Sequence, residues 1–376
     1  MSVSLSAQTE EKKRLRQSQG LHRSLPAFSA PVSFADNDYL RLSRHPRVTE
    51  AAIRAIHSSG TGARAARHLA GPCPEHSVLE NSLAAWKKTE AALVFASGYQ
   101  TPLGIIPSLV GPKDSILLER TAHACLFDGA RLSQARLRLF TRNDPSSLEE
   151  SLASSRKLVP DGKILLVAES LHSMDGDFAD LATLTRLKER FGAWLLLDEA
   201  HANGVVGPEG AGWAAEKRLS HQVDIHMGTM GKALGSSGGF VAAAASVIDH
   251  FLNEARAFLF GTAPAPSSMA AAAEAVRIIR SPEGDQLREH LKNNIRLLAT
   301  HHPTSSLGPI QPHILKSNEA VLKARDFLRA QGIEVAAIRP PTVPEGTARL
   351  RISLSTRHSE RDIQRLVDAL DRLPMA

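Results

Sequence analysis

The sequence is poor in cysteine, poor in aromatic residues and without a long apolar run. Its two cysteines, Cys73 and Cys125, are too few for a disulfide framework or a metal cage, and they suit a reducing compartment. Aromatic residues make up 5% of the chain, too few for a base-stacking platform. No uninterrupted apolar stretch approaches the ~18 residues of a membrane span, so no segment is expected to cross a bilayer. The amino terminus, MSVSLSAQTEEKKRLRQSQG, lacks the apolar core of a signal peptide. These absences lead to the expectation of a cytoplasmic protein with neither a membrane nor a nucleic-acid partner.

What is present points to a sizeable globular protein. The chain has 376 residues, 43% of them hydrophobic, enough to bury a large core. At roughly 150 residues per domain the length suggests two or three units. The net charge of +6 is dispersed, and the densest run, Glu10 to Arg16 (EEKKRLR), mixes signs. Such a surface suits an anionic small molecule better than nucleic acid.

The first forty residues read as polar and irregular. From Pro46 onward helix-like and strand-like segments alternate. Helical spacing marks His76–Thr89, Leu181–Arg190 and Ala270–Ile279. Short apolar runs at Ala92–Phe95, Ser115–Leu118, Ile164–Ala168, Trp194–Leu197, Val223–Met227 and Phe240–Ala243 read as buried strands. Strands interleaved with helices predict an α/β fold: a mostly parallel sheet sandwiched by helices, with ligands at the carboxyl ends of the strands. The last hundred residues read as a smaller α+β unit. It has a helix at Asn318–Gln331, extended Glu334–Ile338, strand Ala348–Leu354 and a helix from Ser359. The expected division is an N-terminal segment over 1–40, a large domain over 41–275 and a small C-terminal domain over 276–376.

Polar residues follow these strands in turn. Ser97-Gly98-Tyr99 comes after the first, and His123 after the second. Glu169 and Ser173-Met174-Asp175-Gly176-Asp177 follow the third; their acids do not match the spacing of a calcium loop, and no metal is expected. Asp198-Glu199-Ala200-His201 follows a run that buries it, so the carboxylate needs a positive partner. Lys232 sits in Gly228-Thr229-Met230-Gly231-Lys232, a glycine-rich stretch that lets backbone approach an anion but lacks the P-loop spacing. A sheet that delivers phosphate donors, a flat imidazole, an acid and an amine to one edge matches what pyridoxal 5′-phosphate (PLP) requires.

At these residues the chain resembles the α-oxoamine synthases, a family of fold-type-I PLP enzymes. The resemblance runs through Asn37-Asp-Tyr-Leu, Gly60-Thr-Gly-Ala-Arg64, His76-Ser-Val-Leu-Glu80, the strand-end motifs above and Arg349-Leu-Arg351. It implies a seven-stranded sheet, PLP as cofactor and a homodimer with a shared active site. It also implies roles. Lys232 would carry the cofactor and act as base, Asp198 would face the ring nitrogen, His201 the ring hydroxyl, and His123 would stack on the ring. Gly98, Tyr99 and Thr229 would hold the phosphate, joined by Thr262 from the partner subunit. Glu169 and Ser173 would line the ring pocket, Arg351 would clamp the amino-acid carboxylate, and Asn37 and His76 would be further site residues.

The closing stretch Ala337–Arg351 resembles the members that condense L-alanine with a pimeloyl thioester, on coenzyme A or a carrier protein, in biotin biosynthesis. Members that join glycine to acetyl-CoA are the next reading, and an aminotransferase on the same fold a third. The chain departs from the family pattern at four places. Arg41 stands where glycine is usual, Gln100-Thr101-Pro102 follows Tyr99, Gly261 replaces a common serine, and Asn203 replaces a usual threonine.

Overall fold

The computed structural model describes residues 4–25, 30–70, 73–301 and 306–374. They form two compact units, one of residues 37–173 and 177–292, the other of residues up to 36, 174–176 and 293 onward.

The larger unit is built on seven strands: β1 (Ala91–Phe95), β2 (Ser115–Glu119), β3 (Arg136–Phe140), β4 (Ile164–Glu169), β5 (Trp194–Asp198), β6 (Ile225–Thr229) and β7 (Gly239–Ala243). Their order across the sheet is β1-β7-β6-β5-β4-β2-β3. All neighbours are parallel except β7, which runs antiparallel between β1 and β6. The carboxyl ends of the other six strands therefore share one edge.

Alternation of side chains makes this sheet a two-sided core. Leu118, Val167, Leu196 and Met227 pack on one face, and Leu117, Leu166, Ala168, Leu195 and Leu197 on the other. Helices cover both faces and their ends follow local chemistry. Helix Leu181–Phe191 starts where Asp180 accepts the Thr183 amide at 3.1 Å and ends at Gly192 in the left-handed region. Helix Pro74–Lys87 starts on a proline, which has no amide to leave unpaired.

The expected strands and helices each overlap an observed element, several of them running one or two residues past its end. One strand of the sheet, β3, lay outside the expectation. Its sequence RLRLF alternates cations with leucines because it is an edge strand, where charge blocks pairing with another chain.

The smaller unit holds a three-stranded antiparallel sheet of β8 (Ile310–Lys316), β9 (Ala336–Ile338) and β10 (Ala348–Ser353), ordered β9-β10-β8. Helix Asn318–Ala330 is capped by Ser317, and helix Glu360–Leu370 by a reciprocal Ser359–Asp362 box. The opening segment is not irregular. Leu5–Ser18 is a helix with no buried residue, capped by Ser4 and laced by Glu10 with Lys13 and Arg14. No apolar stripe marks it in the sequence; propensity and capping hold it instead. No helix among the described residues is long and apolar enough to cross a membrane.

Candidate active site

Parallel strands bring four of the expected groups to one sheet edge. Glu169 ends β4 in register with Asp198, which ends β5 in register with Met227 of β6. Thr229 closes β6 opposite Gly239. Lys232 lies three residues further on, half-buried, with its Nζ 2.7 Å from His201 Nε2. The other ring nitrogen, Nδ1, is 2.7 Å from the hydroxyl of Tyr39, which donates to Asn37 Oδ1 at 3.0 Å. A lysine amine, an imidazole, a phenol and an amide thus form one continuous line.

Asp198 is 5% exposed and its carboxylate accepts the Ala200 amide at 2.9 Å. Burial pushes its pKa up, while Lys232, the Ala200 amide and His123 pull against it. An acid in this position is stabilised in its charged form by a further cation. Glu169, 3% exposed, is also raised by burial; its Oε2 makes no hydrogen bond among the described residues and lies 3.7 Å from His172 Nε2.

His123 caps the helix Ala124–Ser133: its Nδ1 accepts the Cys125 amide at 3.3 Å and lies 2.9 Å from Cys125 Sγ. The residue as a whole is exposed, but this edge is turned into the helix start. Desolvation holds its pKa below the ordinary histidine value, opposed by Asp198 and reinforced by nearby Lys232, which favours the neutral ring. The Tyr99 ring makes a T-shaped contact with it, at 6.4 Å between centroids and 78° between planes. Tyr99 is held in turn by a hydrogen bond to Asp128.

Gly98 leaves a cradle beside Thr229, since a Cβ there would stand 2.9 Å from Thr229 Cβ and Oγ1. Next to it begins the helix Gln100–Leu109, whose first amides turn back on Ser97: Gln100 N donates to Ser97 Oγ at 3.1 Å and Thr101 N to Ser97 O at 3.2 Å. The Thr229 hydroxyl donates to Gly238 O at 2.9 Å and accepts the Gly231 amide at 3.2 Å.

The remaining expected residues are placed as follows. Ser173 is buried at 3% exposure in the larger unit. His76 donates through Nε2 to Pro264 O at 2.9 Å, and its Nδ1 makes no hydrogen bond among the described residues. Its ring is therefore spent on anchoring the Gly261–Pro264 loop, which carries the exposed Thr262. Arg351 lies in the smaller unit, buried on β10, with Nη1 donating to Ser353 Oγ at 2.8 Å.

Two departures from the family pattern gain a physical reason. Arg41 adopts a left-handed backbone with φ of 57°, the conformation glycine takes at least cost. Asn203 Oδ1 accepts from the buried Lys87 at 2.9 Å. Tyr39 and Cys125 were not foreseen as site neighbours. The chain has only two tyrosines, and both meet a site histidine, a signal visible only once the histidines are placed.

A lysine, a buried acid and a neutral imidazole at the carboxyl edge of this sheet define the class of fold-type-I PLP enzymes. The chain belongs to the aminotransferase class I and II family, whose model matches residues 30–370. An 8-amino-7-oxononanoate synthase of Geobacter sulfurreducens is 40% identical over 96% of both chains. Among solved structures, a serine palmitoyltransferase from S. paucimobilis with bound PLP–myriocin aldimine superposes with a TM-score of 0.90. It is 26% identical and covers 98% of this chain and 97% of its own. The 8-amino-7-oxononanoate synthase of Francisella tularensis gives a TM-score of 0.77 at 26% identity, over 91% and 97% of the two chains.

Proposed function

We propose that the protein is a PLP-dependent acyltransferase. It joins L-alanine to a pimeloyl thioester, on coenzyme A or a carrier protein, releasing the thiol and CO2 and forming 8-amino-7-oxononanoate for biotin biosynthesis. The observation that carries this reading is 40% identity to a synthase of that name over 96% of both chains.

The residues present fit the cofactor. The partly compensated Asp198, the Glu169 Oε2 that makes no hydrogen bond among the described residues, and the Gly98 cradle each suit a group of complementary charge or shape. When bound, PLP supplies an aldehyde that takes amines covalently and a cationic ring that draws electron density from the amino acid's Cα.

The chain's own residues divide the remaining work. Lys232 would hold the cofactor and, as a free amine, would take the proton from the amino acid's Cα. Asp198, fixed at the strand end by the Ala200 amide, keeps the ring nitrogen protonated. His201 bonds the ring hydroxyl, and neutral His123 offers its flat face to the ring. Thr229 and the Gly98–Tyr99 amides hold the phosphate, with Thr262 contributed by a second copy of the chain. Glu169 and Ser173 line the ring pocket. Arg351 grips the amino-acid carboxylate through two parallel bonds. Asn37 and His76 hold the surrounding elements.

A homodimer and a cytoplasmic location complete the reading. The exposed Thr262 supports the first, and Cys73 and Cys125, both present as thiols, suit the second. The test is a thiol-release assay with pimeloyl-CoA against alanine, glycine and serine. Release with alanine, together with CO2, is expected. Keto-acid formation without thiol release would place the chain among the aminotransferases.

A further inference from the structure

The line from Lys232 through His201 and Tyr39 to Asn37 has a direction. Tyr39 carries one hydroxyl hydrogen, and it is given to the Asn37 carbonyl oxygen, which only accepts. At His201 Nδ1 the same hydroxyl oxygen is left as an acceptor, so Nδ1 carries the ring proton. A neutral imidazole has a single N–H. Nε2 is then a lone pair, and across 2.7 Å it accepts a hydrogen from the Lys232 amine. Tyr39 is completely buried and His201 nearly so, which keeps water from offering the ring an alternative partner.

We propose that Tyr39, oriented by Asn37, is a positioning residue that fixes His201 as the Nδ1–H tautomer and makes Nε2 a hydrogen acceptor within the site. Toward the cofactor the consequence rests on the function proposed above: the ring hydroxyl donates to His201 rather than receiving from it.

The test reads the tautomer directly in the cofactor-free full-length protein, by long-range proton–nitrogen correlation of the labelled His201 ring. Wild type is expected to show Nδ1 protonated and Nε2 bare. Asn37→Ala frees the Tyr39 hydroxyl to turn its hydrogen toward Nδ1, so the ring proton should move to Nε2. Asn37→Asp, whose carboxylate accepts, should restore the wild-type tautomer. Tyr39→Phe keeps the ring's volume but removes the acceptor, and should mix the tautomers and weaken PLP binding about tenfold. If Tyr39→Phe does not fold, the two variants at half-buried Asn37 carry the test. A protonated Nε2 in wild type, or a tautomer unmoved by Asn37→Ala, would overturn the proposal. Because the tautomer is read without cofactor or substrate, that failure is separable from a failure of thiol release.

Discussion

On one face of the β5 end, the Glu199 carboxylate receives a hydrogen bond from Lys87, another from the Ala214 amide at 3.0 Å, and lies 3.2 Å from His226 Nδ1. Lys87 is saturated in turn by Asn203 Oδ1 at 2.9 Å and Ala211 O at 2.6 Å. On the other face, Asp198 receives the Ala200 amide and faces Lys232 and His123 without so complete a shell. The two acids are adjacent in sequence and both buried. Burial pushes both pKa values up, but Lys87 and His226 overcome it for Glu199, bringing it down to about 2, while Asp198 stays raised. Period-two alternation separates them: Asp198 shares the face of Leu196, and Glu199 that of Leu197. One acid completes a network that locks the strand ends, and the other is left under-compensated where an incoming cation can find it.

The largest expected effect comes from the amine that faces the under-compensated side. Lys232→Ala should abolish both the cofactor's imine absorbance and thiol release; retained turnover would remove the site reading altogether. Next, Asp198→Asn should slow Cα–H exchange with alanine by a factor on the order of 10²–10³, followed by deuterium wash-in, with PLP still bound. The same variant should leave the unfolding midpoint unchanged or raised, since a neutral isostere replaces an under-compensated buried acid.

The opposite face should answer in stability. Lys87→Met strands Glu199 without its main cation and should cost about 3–5 kcal/mol in denaturant unfolding, with the spectrum per folded molecule retained. If Asp198→Asn proved as destabilising as Lys87→Met, the contrast between the two faces would fail. The smallest effect is the acid limb. Because the folded pKa of Glu199 is depressed to about 2, its stabilisation is full above the unfolded carboxyl value near 4.5 and is lost as pH falls toward 2. Glu199→Gln should flatten that part of the stability profile, measured by urea midpoints across the same range.

Much of this arrangement was legible before folding was considered. Short apolar runs ending in polar residues predicted β1, β2, β4, β5 and β6, and the same strand ends predicted where Lys232, Asp198 and His123 would gather. The helix Leu5–Ser18 was not legible because it buries nothing and so carries no apolar period. Strand β3 was hidden by the arginines that protect its edge. His76, one of the motif residues, serves the Thr262 loop through Pro264, a partner 188 positions away in sequence. Nothing local marks Tyr39, because its contact with His201 spans 162 positions.

The sequence by itself determined the class of fold and the inventory of the site, since strand-forming runs and their terminal polar residues are local patterns set by burial and backbone geometry. Tertiary structure alone decided which buried charges are satisfied. Whether an acid is locked by Lys87 or left to face Lys232 depends on which side of a strand it occupies and what chain returns there. Hydrogen bonds over a few ångströms join residues that no local pattern connects.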